Sequence, residues 1–278
     1  EIGSQFLENN KNIENVYLPQ VQTIENSFLA YNKTLKVIEL PECREIGMGF
    51  LENNTNIKNV YLPQAQVIKD YFLRYNEAIE AIKLPECRVI GRYFLEFNKN
   101  IKSIYLPQVE IIEGRFLTYN KALEVIELPK CWKIKGRFLE NNTNIKNIYL
   151  PQVEIIEEAF LRNNEALESI ELPECREIGN YFLEFNKNIK SIYLPKAEHL
   201  GFDFLRNNET LDIIELPNAR RIYEGFLESN KNIKNIYLPE CLILPSNLET
   251  ISQIQSAEKK DINKNKCKTL TLSYTNSH

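Results

Sequence analysis

Two histidines, one tryptophan and nine glycines are thin supplies for a chain of 278 residues, and each scarcity closes off a class of function. The histidines, His199 and His278, stand alone and no Cys-x-x-Cys occurs, so no metal-ligand spacing can be assembled. Nine scattered glycines provide no Gly-rich loop to wrap a phosphate. No apolar run approaches the roughly 18 residues of a spanning helix, which excludes membrane insertion by that route. A formal net charge of −4 is too small and too mixed to call for nucleic acid or an anionic membrane. Catalysis finds no footing either. His199 stands where other repeats carry residues such as Ile111 and Ile155, with no nucleophile pattern nearby. The many glutamates, Glu96 and Glu140 among them, read as solvated columns and not as carboxyls in a cleft. The expectation is a non-enzymatic chain without cofactor or metal.

What the chain has is a period. Pro19, Pro41, Pro63, Pro85, Pro107, Pro129, Pro151, Pro173, Pro195, Pro217 and Pro239 follow one another every 22 residues, each preceded by Leu. Phe-Leu pairs (Phe6-Leu7 to Phe226-Leu227) and an Asn column (Asn10 to Asn230) keep the same step. Self-similarity at this length means a solenoid, because one such unit cannot bury its apolar face alone and must stack on its neighbours.

One coil, Asn54 to Asn76, shows how the pattern folds. Val60-Tyr61-Leu62 alternates like a strand with Val60 and Leu62 inward. Pro63 has no amide hydrogen and ends it. Ile68, Phe72 and Leu73 recur at i, i+4 and i+5, which predicts a short helical turn on the convex side. Asn76 closes the coil, where its amide can satisfy buried backbone groups. The sequons at Asn32 and Asn208 use this same Asn, so a glycan there would part the coils. That disfavours a glycosylating eukaryotic secretory route and suits a bacterial source.

The L-x-x-I-x-L-P strand, the Ile five residues after Pro and the Phe four beyond it resemble the leucine-rich repeats, specifically the BspA-like subclass of bacterial surface proteins and some protist proteins. That subclass usually has a 23-residue unit, often with Cys where this chain has Asn. Here the unit is one residue shorter, Leu always follows the Phe, and Cys sits at the strand exit. The resemblance implies an α/β repeat solenoid: a right-handed superhelix with a parallel concave β-sheet and short helical or irregular convex segments. It also implies a surface-adhesion or host-interaction role, but no ligand, since members share a scaffold and not a partner.

A second period is twice as long. Coils such as Asn142 to Gln152 read N-x-N-I-K-N-I-Y-L-P-Q, whereas Asn164 to Glu174 read N-x-A-L-E-S-I-E-L-P-E. One column consequently runs Lys58, Glu80, Lys102, Glu124, Lys146, Glu168, Lys190, Asp212, Lys234, alternating in sign and favouring one register. Glu14 and Lys36 invert that order. Cys43, Cys87, Cys131 and Cys175 share a column filled elsewhere by Val and Ala, so they read as buried, unpaired thiols; neighbours two coils apart lie about 10 Å from each other, beyond disulfide reach.

The residue between the two inward strand positions faces out on the concave side. It reads Tyr17, Glu39, Tyr61, Lys83, Tyr105, Glu127, Tyr149, Glu171, Tyr193, Glu215, Tyr237. Tyrosine gives large contact area at low entropy cost and is enriched in protein-binding surfaces. The candidate partner-binding residues are therefore Tyr61, Tyr105, Tyr149 and Tyr193 with Glu127 and Glu171. Trp132, in a column otherwise polar, is a lone exposed aromatic.

Residues 1–239 form the solenoid of about eleven coils. It opens at Glu1-Ile2-Gly3, which matches mid-repeat Glu45-Ile46-Gly47 and reads as a cut from a longer protein. Residues 240–278 break the pattern: a helix from about 247 to 260 capped by Ser246 or Asn247, then a strand from 269 to 274, together read as a C-terminal cap. The functional expectation is a monomeric protein-recognition module of a bacterial surface or secreted protein. The alternatives are a recognition arm of an effector delivered to the host cytosol and a structural spacer.

Overall fold

The computed structural model describes residues 1–238, 240 and 241, so the helix and strand expected of the C-terminal cap lie outside the described residues. Each coil crosses the molecule with one three-residue strand, turns at Leu-Pro, makes a two-residue strand on a second face, and returns through an irregular arc. Eleven three-residue strands result among the described residues, from Asn15–Tyr17 to Asn235–Tyr237. Every pairing is parallel and offset by one repeat: Val125 faces Asn147, Ile126 faces Ile148 and Glu127 faces Tyr149. The leucine before each proline points inward, and Leu40 through Leu238 in that column are buried.

The expected single sheet on the Leu-Pro face is not formed. Its strands join as one triplet, Asn15–Tyr17 with Val37–Glu39 and Asn59–Tyr61, and then as separate pairs. The first pair is Ala81–Lys83 with Ser103–Tyr105, and Val125–Glu127 with Asn147–Tyr149 comes next. The continuous sheet lies on the other face, where nine two-residue strands run from Thr23–Ile24 to His199–Leu200.

The expected helical turn is also absent; among the described residues there is no helix. From Tyr71 to Tyr75 alternate residues are left-handed, with φ of 62° at Tyr71, 51° at Leu73 and 58° at Tyr75. The Leu73 amide bonds to Phe50 O of the preceding coil at 3.0 Å, and the Tyr71 amide to Arg92 O of the following coil at 2.9 Å. Backbone groups that a helix would satisfy internally are here spent on stacking. A left-handed leucine costs roughly 1–2 kcal/mol, but its complete burial returns about 1.5–3 kcal/mol in addition to the bond. The alternation explains why Phe and Leu are adjacent in every arc: both are fully buried from Phe28-Leu29 to Phe204-Leu205. The phenylalanines stack face to face along the axis, with centroids 5.1 to 6.1 Å apart.

The Asn column behaves as the corner chemistry requires. Asn54 Nδ2 donates to Leu29 O of the previous coil at 2.8 Å and to Glu52 O at 3.2 Å, and the residue is fully buried. Asn32 and Asn208 make the same two bonds, leaving no amide hydrogen for a glycan to replace without unfolding the corner. Cys43, Cys87, Cys131 and Cys175 are buried and free, and Cys241 extends their column. Burial pushes the Cys43 thiol up to about 11 and the Cys87, Cys131 and Cys175 thiols up to about 12.

Candidate functional site

Strand alternation places the tyrosine column on the surface. Tyr61, Tyr105, Tyr149 and Tyr193 are each 54 to 56% exposed, one per two coils. Within each bonded pair the tyrosine stands directly beside an acid of the preceding coil: Glu127 beside Tyr149, Glu171 beside Tyr193, Glu215 beside Tyr237. Lys83 beside Tyr105 is the exception. The six residues singled out in sequence thus do share one face. Glu127 and Glu171 are exposed and make no ion pair among the described residues, so their charges face outward.

The charge column next to them is self-neutralised. Lys102 reaches back to Glu80 at 2.8 Å, Lys146 to Glu124 at 2.9 Å and Lys190 to Glu168 at 2.8 Å. Lys102 holds the Glu80 carboxyl below its usual range through a hydrogen bond and its charge. These exposed pairs carry little energy, yet their direction matters. Each lysine that forms such a pair reaches the coil before it, and the strands so spanned are hydrogen-bonded; Lys58 follows Lys36 and is not paired in this way, although Val37–Glu39 is bonded to Asn59–Tyr61. The inverted Glu14–Lys36 pair, 2.8 Å, accompanies the closed first junction, where Asn15–Tyr17 is bonded to Val37–Glu39.

Between pairs the face is open. The amides of Leu40, Leu84, Leu128 and Leu172 bond across to a tyrosine carbonyl of the next coil at 3.0 Å. No equivalent bond joins Leu62, Leu106, Leu150 or Leu194 to the coil that follows. At these joints the central residue of the tyrosine strand is only partly covered: Val60, Ile104, Ile148 and Ile192 are half-buried, whereas Ile82, Ile126, Ile170 and Ile214 are fully buried. Diagonally across two of the joints stand the exposed Val125 and Ile213. At the joint after Tyr193 the opening measures about 390 Å³ and is lined by Ile192, Tyr193, Pro195, Ile213, Glu215 and Pro217. Sequence reasoning missed these apolar residues because Ile148 and Ile126 look identical in the repeat, although the first is half-buried and the second fully buried. The alternation of Asn147 with Val125 in the column ahead was the available signal.

A larger groove of about 950 Å³ lies on the opposite, short-strand side, over Gly136, Gly179 and Gly201. Its cations are already engaged, Lys135 with Glu113 at 2.6 Å, Lys133 with Glu157 at 3.4 Å and Arg137 with Glu140 at 3.2 Å. The glycines are there because coils meet closely: a Cβ on Gly201 would lie 2.4 Å from Gly179 C. His199 is exposed on this side in the strand His199–Leu200, and Trp132 also stands away from the tyrosine face. Size here reflects packing geometry, and the candidate site is the tyrosine face with its unbonded joints.

Glu96 and Glu140 are not solvated. Both are buried on the arc, in a column Glu52, Arg74, Glu96, Thr118, Glu140, Arg162, Glu184 whose charges clamp each other. Arg162 Nε donates to Glu184 at 2.7 Å and Arg74 also covers the Tyr75 ring, 4.6 Å from its centroid. Burial raises the Glu52 and Glu184 carboxyls despite the neighbouring arginines, Arg74 and Arg162. The sign alternation in that column, broken only at Thr118, was visible in sequence and marked a structural clamp.

The sequence matches the BspA type leucine-rich repeat region in six copies, over residues 1–124 and 132–257. The chain belongs to that family. Two solved structures are similar to this BspA-type chain. One is a leucine-rich repeat protein from Bacteroides ovatus ATCC 8483, at 15% identity and TM-score 0.49, covering 85% of this chain and 76% of that one. The other is the pneumococcal vaccine antigen PcpA, at 12% identity and TM-score 0.48, covering 84% and 79%. No curated protein matches the sequence. The stacked parallel coils and the BspA-type match together describe a repeat scaffold of the protein-interaction kind.

Proposed function

We propose that the chain is a non-enzymatic protein-recognition module of a bacterial surface or secreted protein, and that its partner sits on the tyrosine face. The supporting observation is the row of half-exposed tyrosines, each carried on a rigid strand over a fully buried Phe and Leu core. A pure spacer gains nothing from large aromatic rings held out to solvent, whereas rigid aromatics are enriched among the anchors of an interface.

The test is to place a photo-cross-linking residue at Ser103, identify the captured protein and measure its affinity for variants. Tyr105→Ala with Tyr149→Ala should weaken binding by about 2 kcal/mol or more with unchanged melting, since the rings lie outside the core. Full-strength binding by this double variant would refute the face.

A further inference from the structure

We infer that the short-strand sheet around Trp132 forms a second contact surface, which takes an arginine side chain offered by a partner protein among aliphatic residues. The surface is separate from the tyrosine face, and the inference does not depend on how that face is read.

The column that holds Trp132 carries the argument. In alternate coils it reads Arg44, Arg88, Trp132, Arg176 and Arg220, so the tryptophan stands where the series calls for an arginine. The work of those arginines is visible further along. Arg220 lies 3.2 Å from Glu198 and Arg176 lies 3.7 Å from the same carboxylate. The solenoid thus seats guanidinium groups beside the acid of an adjacent coil. At Trp132 the acids are kept and the cation is gone. The Trp132 amide bonds to Glu110 O at 2.9 Å and the Glu154 amide to Trp132 O at 2.8 Å, which sets one acid in the coil on either side. Both glutamates are exposed, and among the described residues neither has an ion-pair partner; Arg176 pairs with Glu198 instead.

Indole and carboxylates together select the occupant. Trp132 is 37% exposed, and of the aromatic side chains tryptophan attracts a cation most strongly. A guanidinium is flat enough to lie on the ring while its N–H fork donates to a carboxylate, which an ammonium does less well. Arginines of this chain already cover rings in that way, Arg221 at 4.5 Å from the Tyr223 centroid and Arg74 at 4.6 Å from that of Tyr75. The adjoining column supplies the apolar surround. Val67, Val89, Ile111 and Ile155 lie exposed or half-buried in register along the sheet, with Lys133 between the last two. Lys133 is itself engaged by Glu157 at 3.4 Å. Thr23 and Glu45 at one end of that column, and Glu177 and His199 at the other, confine the aliphatic stretch to the coils about Trp132. Unlike the tyrosine face, this sheet is bonded without a break, so the platform is rigid.

Trp132 is the chain's single tryptophan, so its fluorescence reports this site alone. The full chain is titrated with Gly-Leu-Arg-Leu-Gly, blocked at both ends, and with its lysine and citrulline counterparts. The arginine peptide should shift the emission saturably and bind at least about tenfold tighter than the uncharged citrulline peptide, with lysine between them. Glu110→Gln with Glu154→Gln should weaken the arginine peptide by about tenfold or more at low salt and by less at high salt. Trp132→Arg, which restores the residue of the sister coils, should preserve the melting temperature and abolish binding measured by calorimetry. Tyr105→Ala with Tyr149→Ala should leave peptide binding unchanged. The inference is overturned if no saturable shift occurs, or if the citrulline or lysine peptide binds as tightly as the arginine one. Binding that survives Trp132→Arg, or that is lost with the tyrosines, overturns it equally.

Discussion

Arg74 Nε donates to Glu96 Oε2 at 2.7 Å, and the accepting carboxylate has no exposure to solvent. Glu96 Oε1 meanwhile accepts from Thr118 Oγ1 at 2.9 Å and lies 3.4 Å from Arg115. One carboxylate therefore ties three consecutive coils.

Removing Glu96 deprives Thr118 and Arg115 of their acceptor and leaves Arg74 only Glu52, at 3.7 Å, and the Tyr75 hydroxyl. Glu96→Ala is expected to destabilise the solenoid by about 3 kcal/mol, as loss of one partner of a buried pair does. Exposed Glu80→Ala, in the surface charge column, should cost under about 1 kcal/mol. Denaturant midpoints of the two variants measure the difference, and equal midpoints would remove the clamp from the account.

Open and closed junctions should be readable one amide at a time. The amides of Leu84, Leu128 and Leu172 are bonded to Tyr105 O, Tyr149 O and Tyr193 O, and those of Leu106, Leu150 and Leu194 have no such acceptor. Native-state hydrogen exchange should alternate accordingly, slow then fast, along the leucine column. Uniform protection would mean a continuous sheet.

The thiols make an alkaline prediction. Their folded pKa values, about 12 for Cys87, Cys131 and Cys175, are raised above the unfolded value of roughly 8.5. A raised pKa contributes stability that is complete below about pH 8.5 and lost as pH climbs toward 12. At pH 10 each thiol should favour unfolding by about 2 kcal/mol relative to neutral pH. Replacing all three by Val, which fills the same column at Val109 and Val153, should flatten the pH dependence of the urea midpoint. An unchanged slope contradicts the burial. Thiol reagents at neutral pH should label these positions only slowly.

At the coil corner, Asn142 Nδ2 donates to Leu117 O at 2.7 Å and to Glu140 O at 3.4 Å. Asn142→Ala leaves those carbonyls unsatisfied and should cost about 2 kcal/mol. Asn142→Asp sets a carboxylate against two carbonyl oxygens and should cost more than Ala, although it is nearly the same shape. Thermal melts rank the two, and a milder aspartate would show that donation is not the corner's requirement.

Much of this was legible in the sequence for one physical reason: a stacked coil must repeat its inward residues. The Leu before each Pro, the Phe-Leu pair, the Cys column and the Asn corner all sit where their periodicity put them. Misreadings arose where a 22-residue period hides what neighbours do. Ile68, Phe72 and Leu73 have helical spacing, but the Leu73 amide finds its acceptor 23 residues back, in the coil below. Glu96 is hydrophilic by type and buried by context, because Arg74 and Arg115 reach it from the coils on either side. The tyrosine row was visible, whereas the openings beside it depend on which strands bond, a choice that Ile148 and Ile126 do not announce.

The alternation of closed and open junctions also governs how such a gene can change length. Excising 44 residues, for example 103–146, would leave Lys102 leading directly into Asn147, with Glu80 still behind it and Glu168 ahead, so the paired lysines keep their carboxylates and bonded and unbonded joints still alternate. Excising 22 residues, 103–124, would instead set Lys102 against Lys146 and shift the phase of all that follows. Unequal recombination in this chain is thus neutral in even steps and disruptive in odd ones: the unit of inheritance is the pair of coils, although the unit of folding geometry is the single one.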